Sequence, residues 1–484
     1  MSLTSALNTA QAIFRNTGEQ TSVISNNIAN DSNANYVRRS AVVTNTIFGA
    51  TTVMTERAQQ QALLMQIVGA TSLSSGQDTL LKGLETLSSS LGGNDYELAP
   101  STYMAELETS LQAFAASPGE LSLAQTVVTD AQDVASSLNN AYNTVQKLRS
   151  DSDADIEAQV VKLNKLLADF QVANDAVVRA TATGGDPNDA LDRRDTLLKE
   201  ISGIIGVDVV TRENNDVALY TADGTTLFET VPRSVTFSRT FTYGASTIGN
   251  AVYIDGVAVN AGQGGDTTAE GSLAALLQLR DDIAPVFQSQ LDEVAHGLIE
   301  AFAETDPLGV APDMAGLFTG APGPLTSGTV SPGLAGTITV NSALVMSSGG
   351  NPMLLRDGGI NGAAYVWNAG ANSGYASLLQ SYVAALNANR AFDASTQLDT
   401  SSSVMTFATD SVGWLEELRS NATTAKENKT AFYERAFQTY SSETGVSLDE
   451  ELSLLLDVEQ SYKASAKLVA TVDAMLQSVL EMAG

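Results

Sequence analysis

Residues 3–28 read LTSALNTAQAIFRNTGEQTSVISNNI, and this stretch decides how the rest of the chain is read. Leu3, Leu7, Ala10, Phe14, Thr17, Thr21, Ile24 and Ile28 follow alternating steps of four and three, a heptad a/d seam over nearly four heptads. The remaining faces carry Asn, Gln, Ser and Thr rather than Lys and Glu. The pattern fits a coiled-coil seam, and equally an amphipathic helix packed on its own domain. The other end of the chain mirrors it. Leu455, Val458, Tyr462, Ser465, Val469, Val472, Leu476 and Val479 step in the same way, and Ser447 with Glu450 reads as a capping box opening that helix. Two heptad-bearing ends can pair only if the chain runs out and comes back, which predicts a nested fold with the middle of the sequence farthest from the paired termini.

Between the ends the periodicity changes several times. Met104, Leu107, Leu111 and Phe114 mark one helix, stopped by Pro118. Leu123–Leu148 and Ile156–Val177 predict a second and a third, the third broken near Gly184-Gly185, and Leu191–Ile205 a fourth; together they read as antiparallel helices of a bundle. Period two then takes over. Val235, Phe237, Phe241 and Tyr243 alternate with polar residues, and Asp223-Gly224 and Asp255-Gly256 are type I′ hairpin signals. A helix is expected from Leu273 to Phe302 with a kink at Pro285. Residues 306–374 hold 14 of the 38 Gly and 6 of the 11 Pro, which predicts a loop-rich module. Helical periodicity returns from Ala376.

The fold class expected is therefore mainly α with inserted β domains: a multidomain α+β chain with paired terminal helices, a long helical bundle and one or two outer β modules. The expected divisions are a terminal coiled-coil-like core of 1–32 with 444–484; a bundle of 33–206 with 269–305 and 372–443; a β domain at 207–268; and a Gly/Pro-rich β or loop module at 306–371.

Composition removes most chemistry. The 484 residues carry 25 Lys+Arg against 55 Asp+Glu, a net charge of −30, which argues against nucleic-acid and anionic-membrane partners. There is no Cys and a single His, His296, so thiolate zinc sites, disulfides, cysteine nucleophiles and multi-His metal sites are all excluded. No run of 18 apolar residues occurs, and the first 25 residues lack an apolar signal core, so neither a spanning helix nor a Sec signal peptide is expected. His296 reads as a packing residue rather than a general base, since no serine elbow or metal partner accompanies it. Asp151-Ser-Asp153-Ala-Asp155 resembles the opening of an EF-hand loop, but Ile156 and Lys162 stand where Gly and Glu are needed; an acidic turn opening a helix is expected instead. Gly262-Gln263-Gly264-Gly265 lacks the Lys-Ser/Thr of a phosphate loop. No catalytic residue, cofactor or metal is expected. Arg38-Arg39 reads as a solvated turn or an intersubunit ion-pair donor. Charge is uneven: residues 1–60 carry a net +1 and residues 444–484 a net −5.

Asn26-Asn27-Ile28-Ala29-Asn30 followed by Tyr36 resembles the N-terminal signature of the flagellar rod and hook axial proteins of bacteria. That family continues with Thr-Pro-Gly-Tyr, where this chain has Asn33-Ala34-Asn35-Tyr36, so Asn35 is expected to take the left-handed turn position. Pro187-Asn188-Asp189-Ala190-Leu191-Asp192-Arg193-Arg194-Asp195, and the C-terminal Gly445–Glu451 and Gln460–Lys467, are similar to the hook-associated members of that family. The resemblance covers about 1–205 and 370–484. It implies a structural, non-enzymatic protein, exported by the flagellar type III apparatus and assembled outside the cell as a ring of subunits between hook and filament. The implied partners are further copies of itself, the hook protein, the second hook–filament junction protein and an export chaperone on the C-terminal helix. The assembly interface expected is Leu3, Leu7, Ala10, Phe14, Ile24, Asn26, Asn27, Ile28, Asn30 and Tyr36 with Leu455, Val458, Tyr462, Val469, Val472, Leu476 and Val479. The rival readings are the hook protein itself, a surface adhesin using the variable middle region, and a hydrolase grafted into that region; the last would need two converging carboxylates.

Overall fold

The protein is described by a computed structural model covering residues 3–45, 51–58, 60–320 and 325–483. The order is α1 (Leu3–Ala29), β1 (Arg39–Asn45), β2 (Thr51–Arg57), α2 (Gln61–Ser90), α3 (Pro100–Ala116), α4 (Leu121–Thr183) and α5 (Asn188–Ile204). Then come β3 (Asp208–Thr211), β4 (Val217–Tyr220), β5 (Thr226–Phe228), β6 (Val235–Thr236), β7 (Tyr253–Ile254), β8 (Val257–Ala258), α6 (Ser272–Gln278) and α7 (Ala284–Ala301). The remainder is β9 (Phe318–Thr319), β10 (Thr339–Val340), α8 (Leu354–Asp357), α9 (Ser377–Asn387), β11 (Arg390–Ala391), β12 (Ser401–Ser402), α10 (Val404–Thr444) and α11 (Leu448–Ala483). The chain is mainly α with small separate antiparallel sheets, as the sequence implies. No described helix is long and apolar enough to cross a membrane.

Two compact units divide it. The first joins residues 1–72, 163–234 and 429–484, and the second joins 73–162 and 235–428; α2, α4 and α10 contribute residues to both.

In the first unit α1 packs along α11, so the two ends of the chain pair. The β1–β2 ribbon follows α1, and β3–β4–β5 form a three-stranded sheet. Phe170 of α4 is fully buried and meets Phe228 of β5 edge-on, with ring centroids 5.2 Å apart. Leu167, Val177, Leu198, Ile201, Val217 and Leu219 complete the apolar interior of this unit.

The second unit has one continuous core. Leu84 of α2, Met104, Leu107 and Phe114 of α3, Val134 and Leu138 of α4, Phe287 and Leu291 of α7 and Phe407 of α10 belong to it. So do Leu317, Phe318, Leu334, Ile338, Leu344 and Leu355 from the Gly/Pro-rich stretch, which is thereby built into the body rather than set apart.

Four local expectations change. The second and third predicted helices are one, α4, because nothing between Leu121 and Thr183 is Gly or Pro. Gly184 at φ 69° ends it, and the Gly185 amide donates to the Ala180 carbonyl at 2.8 Å. Asp151–Asp155 therefore lies in mid-helix, and Asp153 is buried there against Arg280. Segment 207–268 holds two sheets, β3–β5 in the first unit and β6–β8 in the second. Only Val235 and Thr236 of the alternating run are strand, since the Thr240 amide donates to the Asp153 carboxylate instead of to a neighbouring strand.

Other details follow the sequence. Asp255 (φ 49°) and Gly256 (φ 85°) make the type I′ turn of β7–β8. At Asp223-Gly224 only Gly224 has positive φ, and Asp223 instead accepts the Thr225 amide at 3.1 Å, giving a longer loop. Pro285 is preceded by a π-helical turn at Leu279–Ile283, the relief that a missing amide requires. The buried carbonyl of Arg280 there accepts Arg149 Nε at 3.2 Å.

Phe170 fills the centre of the first unit, so Phe170→Ala is expected to destabilise that unit by about 3–5 kcal/mol in urea unfolding. A loss below about 1 kcal/mol would show that the interior closes over the gap.

Candidate assembly site

The signature residues of the two ends and of α5 converge in the first unit. Asn27, fully buried at the end of α1, closes the turn that follows. Its Nδ2 donates to the Arg39 carbonyl at 2.7 Å. Its Oδ1 accepts the Tyr36 hydroxyl at 2.8 Å and the Arg39 amide at 3.2 Å. Burial pushes the Tyr36 hydroxyl up, against the opposing field of Arg39. Asn26 is exposed, and Asn30 donates to its carbonyl at 2.9 Å. Asn35 does not take a left-handed conformation. The turn is made instead by Asn33, whose Oδ1 accepts the Asn35 amide at 3.1 Å and whose carbonyl accepts the Tyr36 amide at 2.9 Å. The Asn35 carbonyl oxygen of the side chain accepts Lys199 Nζ at 3.0 Å.

The ribbon register sets Arg39 directly opposite Arg57. Like charges in that position repel. Helix α5 supplies the answer, because Asp189, Asp192 and Asp195 recur every three residues on one face of its first two turns. Asp192 accepts Arg57 Nε on Oδ1 at 2.8 Å and Arg39 Nη2 on Oδ2 at 3.0 Å. Asp189 takes Arg39 at 2.6 Å, and Asp195 takes Arg57 at 2.7 Å. Burial opposes the charge on Arg57, but Asp195 and Asp192 outweigh it and hold the guanidinium above its ordinary range. A cavity of about 70 Å³, lined by Leu64, Phe170, Leu198 and Tyr440 among others, borders Arg57 and Asp195. Of the neighbouring pair, Arg193 is exposed while Arg194 is buried and donates to Asn174 Oδ1 at 3.1 Å.

The C-terminal motif docks on the same turn. The Arg38 amide donates to the Thr444 carbonyl at 2.8 Å, and its guanidinium meets buried Glu451 at 2.7 Å and Glu450 at 3.0 Å. Arg38 and Arg39 are thus intrachain ion-pair donors, neither a solvated turn nor free for another subunit. Sequence reasoning missed Arg57, the three aspartates that hold it and Arg39, and the Glu450–Glu451 pair that holds Arg38. The i, i+3, i+6 spacing of Asp189, Asp192 and Asp195 was the available signal.

Beyond this clamp α1 and α11 run together. Phe14 meets Tyr462 edge-on with centroids 5.0 Å apart. Ala10, Thr17, Ile24, Val458, Ser465 and Val472 are buried, whereas Leu7, Phe14, Ile28, Leu455 and Val469 are half-buried. Tyr462, Leu476 and Val479 remain exposed. The side chain of Leu3 lies outside the described residues. Leu454, Leu468, Met475 and Met482, at heptad spacing on the flank of the Leu476 face, are exposed as well. The pairing covers one seam of α11 and leaves a second apolar side open. Among the described residues no group of His, Cys, Asp or Glu is arranged to hold a metal ion.

Two segments of the chain match families of flagellar axial proteins. Residues 438–482 fit the family described as flagellar basal body rod FlgEFG protein C-terminal. Residues 70–322, more than half of the chain, fit the flagellar hook-associated protein FlgK helical domain, and the chain belongs to that family. It is 26% identical over 322 residues to flagellar hook-associated protein 1 of Salmonella typhimurium (strain LT2), covering 62% of this chain and 54% of that one. Against the Escherichia coli K12 protein of the same name it is 25% identical, covering 62% of this chain and 55% of that one. Against the Bacillus subtilis 168 protein it is 23% identical over 431 residues, covering 84% and 80%. The chain thus spans about half the length of its enterobacterial relatives. The flagellar hook junction protein FlgK of Burkholderia pseudomallei superimposes with a TM-score of 0.42 at 20% identity, covering 53% of this chain and 47% of that one.

Arg57 is nearly buried and neutralises two carboxylates, so Arg57→Met is expected to destabilise the first unit by about 3–5 kcal/mol in urea unfolding. An unchanged midpoint would mean that the ion pairs are dispensable.

Proposed function

We propose that the chain is a structural subunit of the bacterial flagellum, joining hook to filament and required for filament assembly and motility. The observation that carries this reading is the open apolar side of α11, from Leu454 to Met482, on a helix already fixed by α1. Apolar side chains at heptad spacing on a pre-formed helix pair suit packing against neighbouring subunits. Such a subunit acts by packing rather than by catalysis. In this reading the chain forms a ring of its own copies, with the hook protein on one side and the second junction protein on the other. The same α11 face takes an export chaperone before assembly, and the working location is the extracellular flagellum. The assembly surface comprises the exposed residues Tyr462, Leu476 and Val479, with the half-buried Leu7, Phe14, Ile28, Leu455 and Val469 at its edge.

Leu476 is 39% exposed, so a carboxylate there is tolerated in the monomer but opposes burial by several kcal/mol in an assembly. Purified Leu476→Asp protein, added from outside to hooks that lack filaments, is expected to melt like the unaltered protein and to fail to support filament regrowth. Regrowth equal to that with the unaltered protein would remove this face from the assembly surface. External addition separates assembly from export.

A further inference from the structure

The chain's one histidine is buried among acids in the second unit. His296 is 2% exposed on α7, with Glu293 one turn before it and Glu300 one turn after. Its Nδ1 is 4.0 Å from Glu293 Oε1, and its Nε2 is 3.4 Å from Glu300 Oε1. Neither ring nitrogen, nor Glu293 Oε1, makes a hydrogen bond among the described residues. From the opposing segment, Arg390 donates to the Gly297 carbonyl at 2.6 Å and lies 3.4 Å from Glu300, and Asp393 adds a further negative field on Glu293. The neighbouring Asp292 is occupied elsewhere, accepting the Gly333 and Ala335 amides at 2.8 Å each. The Glu293 carboxyl takes a hydrogen bond from the Asp393 backbone, but its Oε1 and the two ring nitrogens do not have partners among the described residues; such buried, unpaired polar atoms are rare in folded proteins, because ionisation there has little to replace its water.

The two imidazole nitrogens face opposite ways, so one ion cannot join both to the carboxylates. The exchangeable species at this cluster is the proton. We propose that Glu293, buried beside His296, is a proton-linked stability switch, which keeps the second unit firm in mild acid and loosens it as pH rises past neutrality.

The sign follows from Glu293. Burial pushes its carboxyl up to about 7, with His296 opposing and Asp393 adding to the rise. The folded value is above the unfolded 4.5. The stabilisation is therefore fully present below about 4.5 and is lost as pH rises through about 7. Asp292, raised by burial to about 6, works in the same direction in a lower window. At tenfold per pK unit, Glu293 changes the folding equilibrium on the order of a hundredfold.

Calorimetric melting of the full chain from pH 5 to 8.5 tests this. The unaltered protein is expected to lose melting temperature through pH 7. Glu293→Gln should flatten that step and melt higher than the unaltered protein at pH 8, while Asp292→Asn keeps the step. A Glu293→Gln variant with the same fall overturns the proposal. If that variant does not fold, the unaltered protein decides: a melting temperature that does not fall between pH 5 and 8.5 overturns the switch.

Discussion

Asp192 holds a guanidinium on each oxygen, Arg57 on one and Arg39 on the other. The ribbon sets these two cations face to face, so the β1–β2 register is tenable only with that carboxylate between them. From it the rest of the first unit is built outward. Arg39 is tied through its backbone to Asn27, which ends α1, and its neighbour Arg38 is tied to Glu451, in the first turn of α11. One aspartate in α5 thus bears on both ends of a 484-residue chain. Buried ion pairs add little net stability compared with apolar packing, while removing one partner is strongly destabilising. Their role in this account is to fix geometry, setting where α1 leaves the ribbon and hence how it meets α11.

The seam beyond the clamp is thin. Ala, Thr and Ser occupy buried positions such as Ala10, Thr17 and Ser465, which bring the helices close but bury little apolar area. Larger side chains, Leu468, Met475 and Met482 among them, lie on the uncovered side. Stability of the pair in one chain therefore leans on the clamp, and the apolar side is left uncovered. The net charge of −30 opposes unspecific association of such surfaces.

The helices were legible because their apolar residues recur at helical spacing, and the ends were legible as a pair because both carry heptads. The single helix α4 was misread as two, since an acidic run looks like a turn; nothing in Asp151–Asp155 reveals that Asp153 will face Arg280, 127 residues away. Period two from Val235 to Tyr243 overpredicted a strand, because the hydrogen bonds that would complete it go to a side chain. Asn27, Asn30 and Tyr36 stood out in the sequence, but their cationic partners did not. Arg38 and Arg39 pair with acids 413 and 153 residues away, separations that no local pattern encodes.

Amide hydrogen exchange in the dilute monomer tests the clamp most directly. Slow exchange is expected over residues 10–27 and 455–472 in the unaltered chain, with loss of that protection in Asp192→Leu while the second unit stays protected. Exchange of α1 at unfolded rates in the unaltered monomer, or undiminished protection in Asp192→Leu, would contradict it.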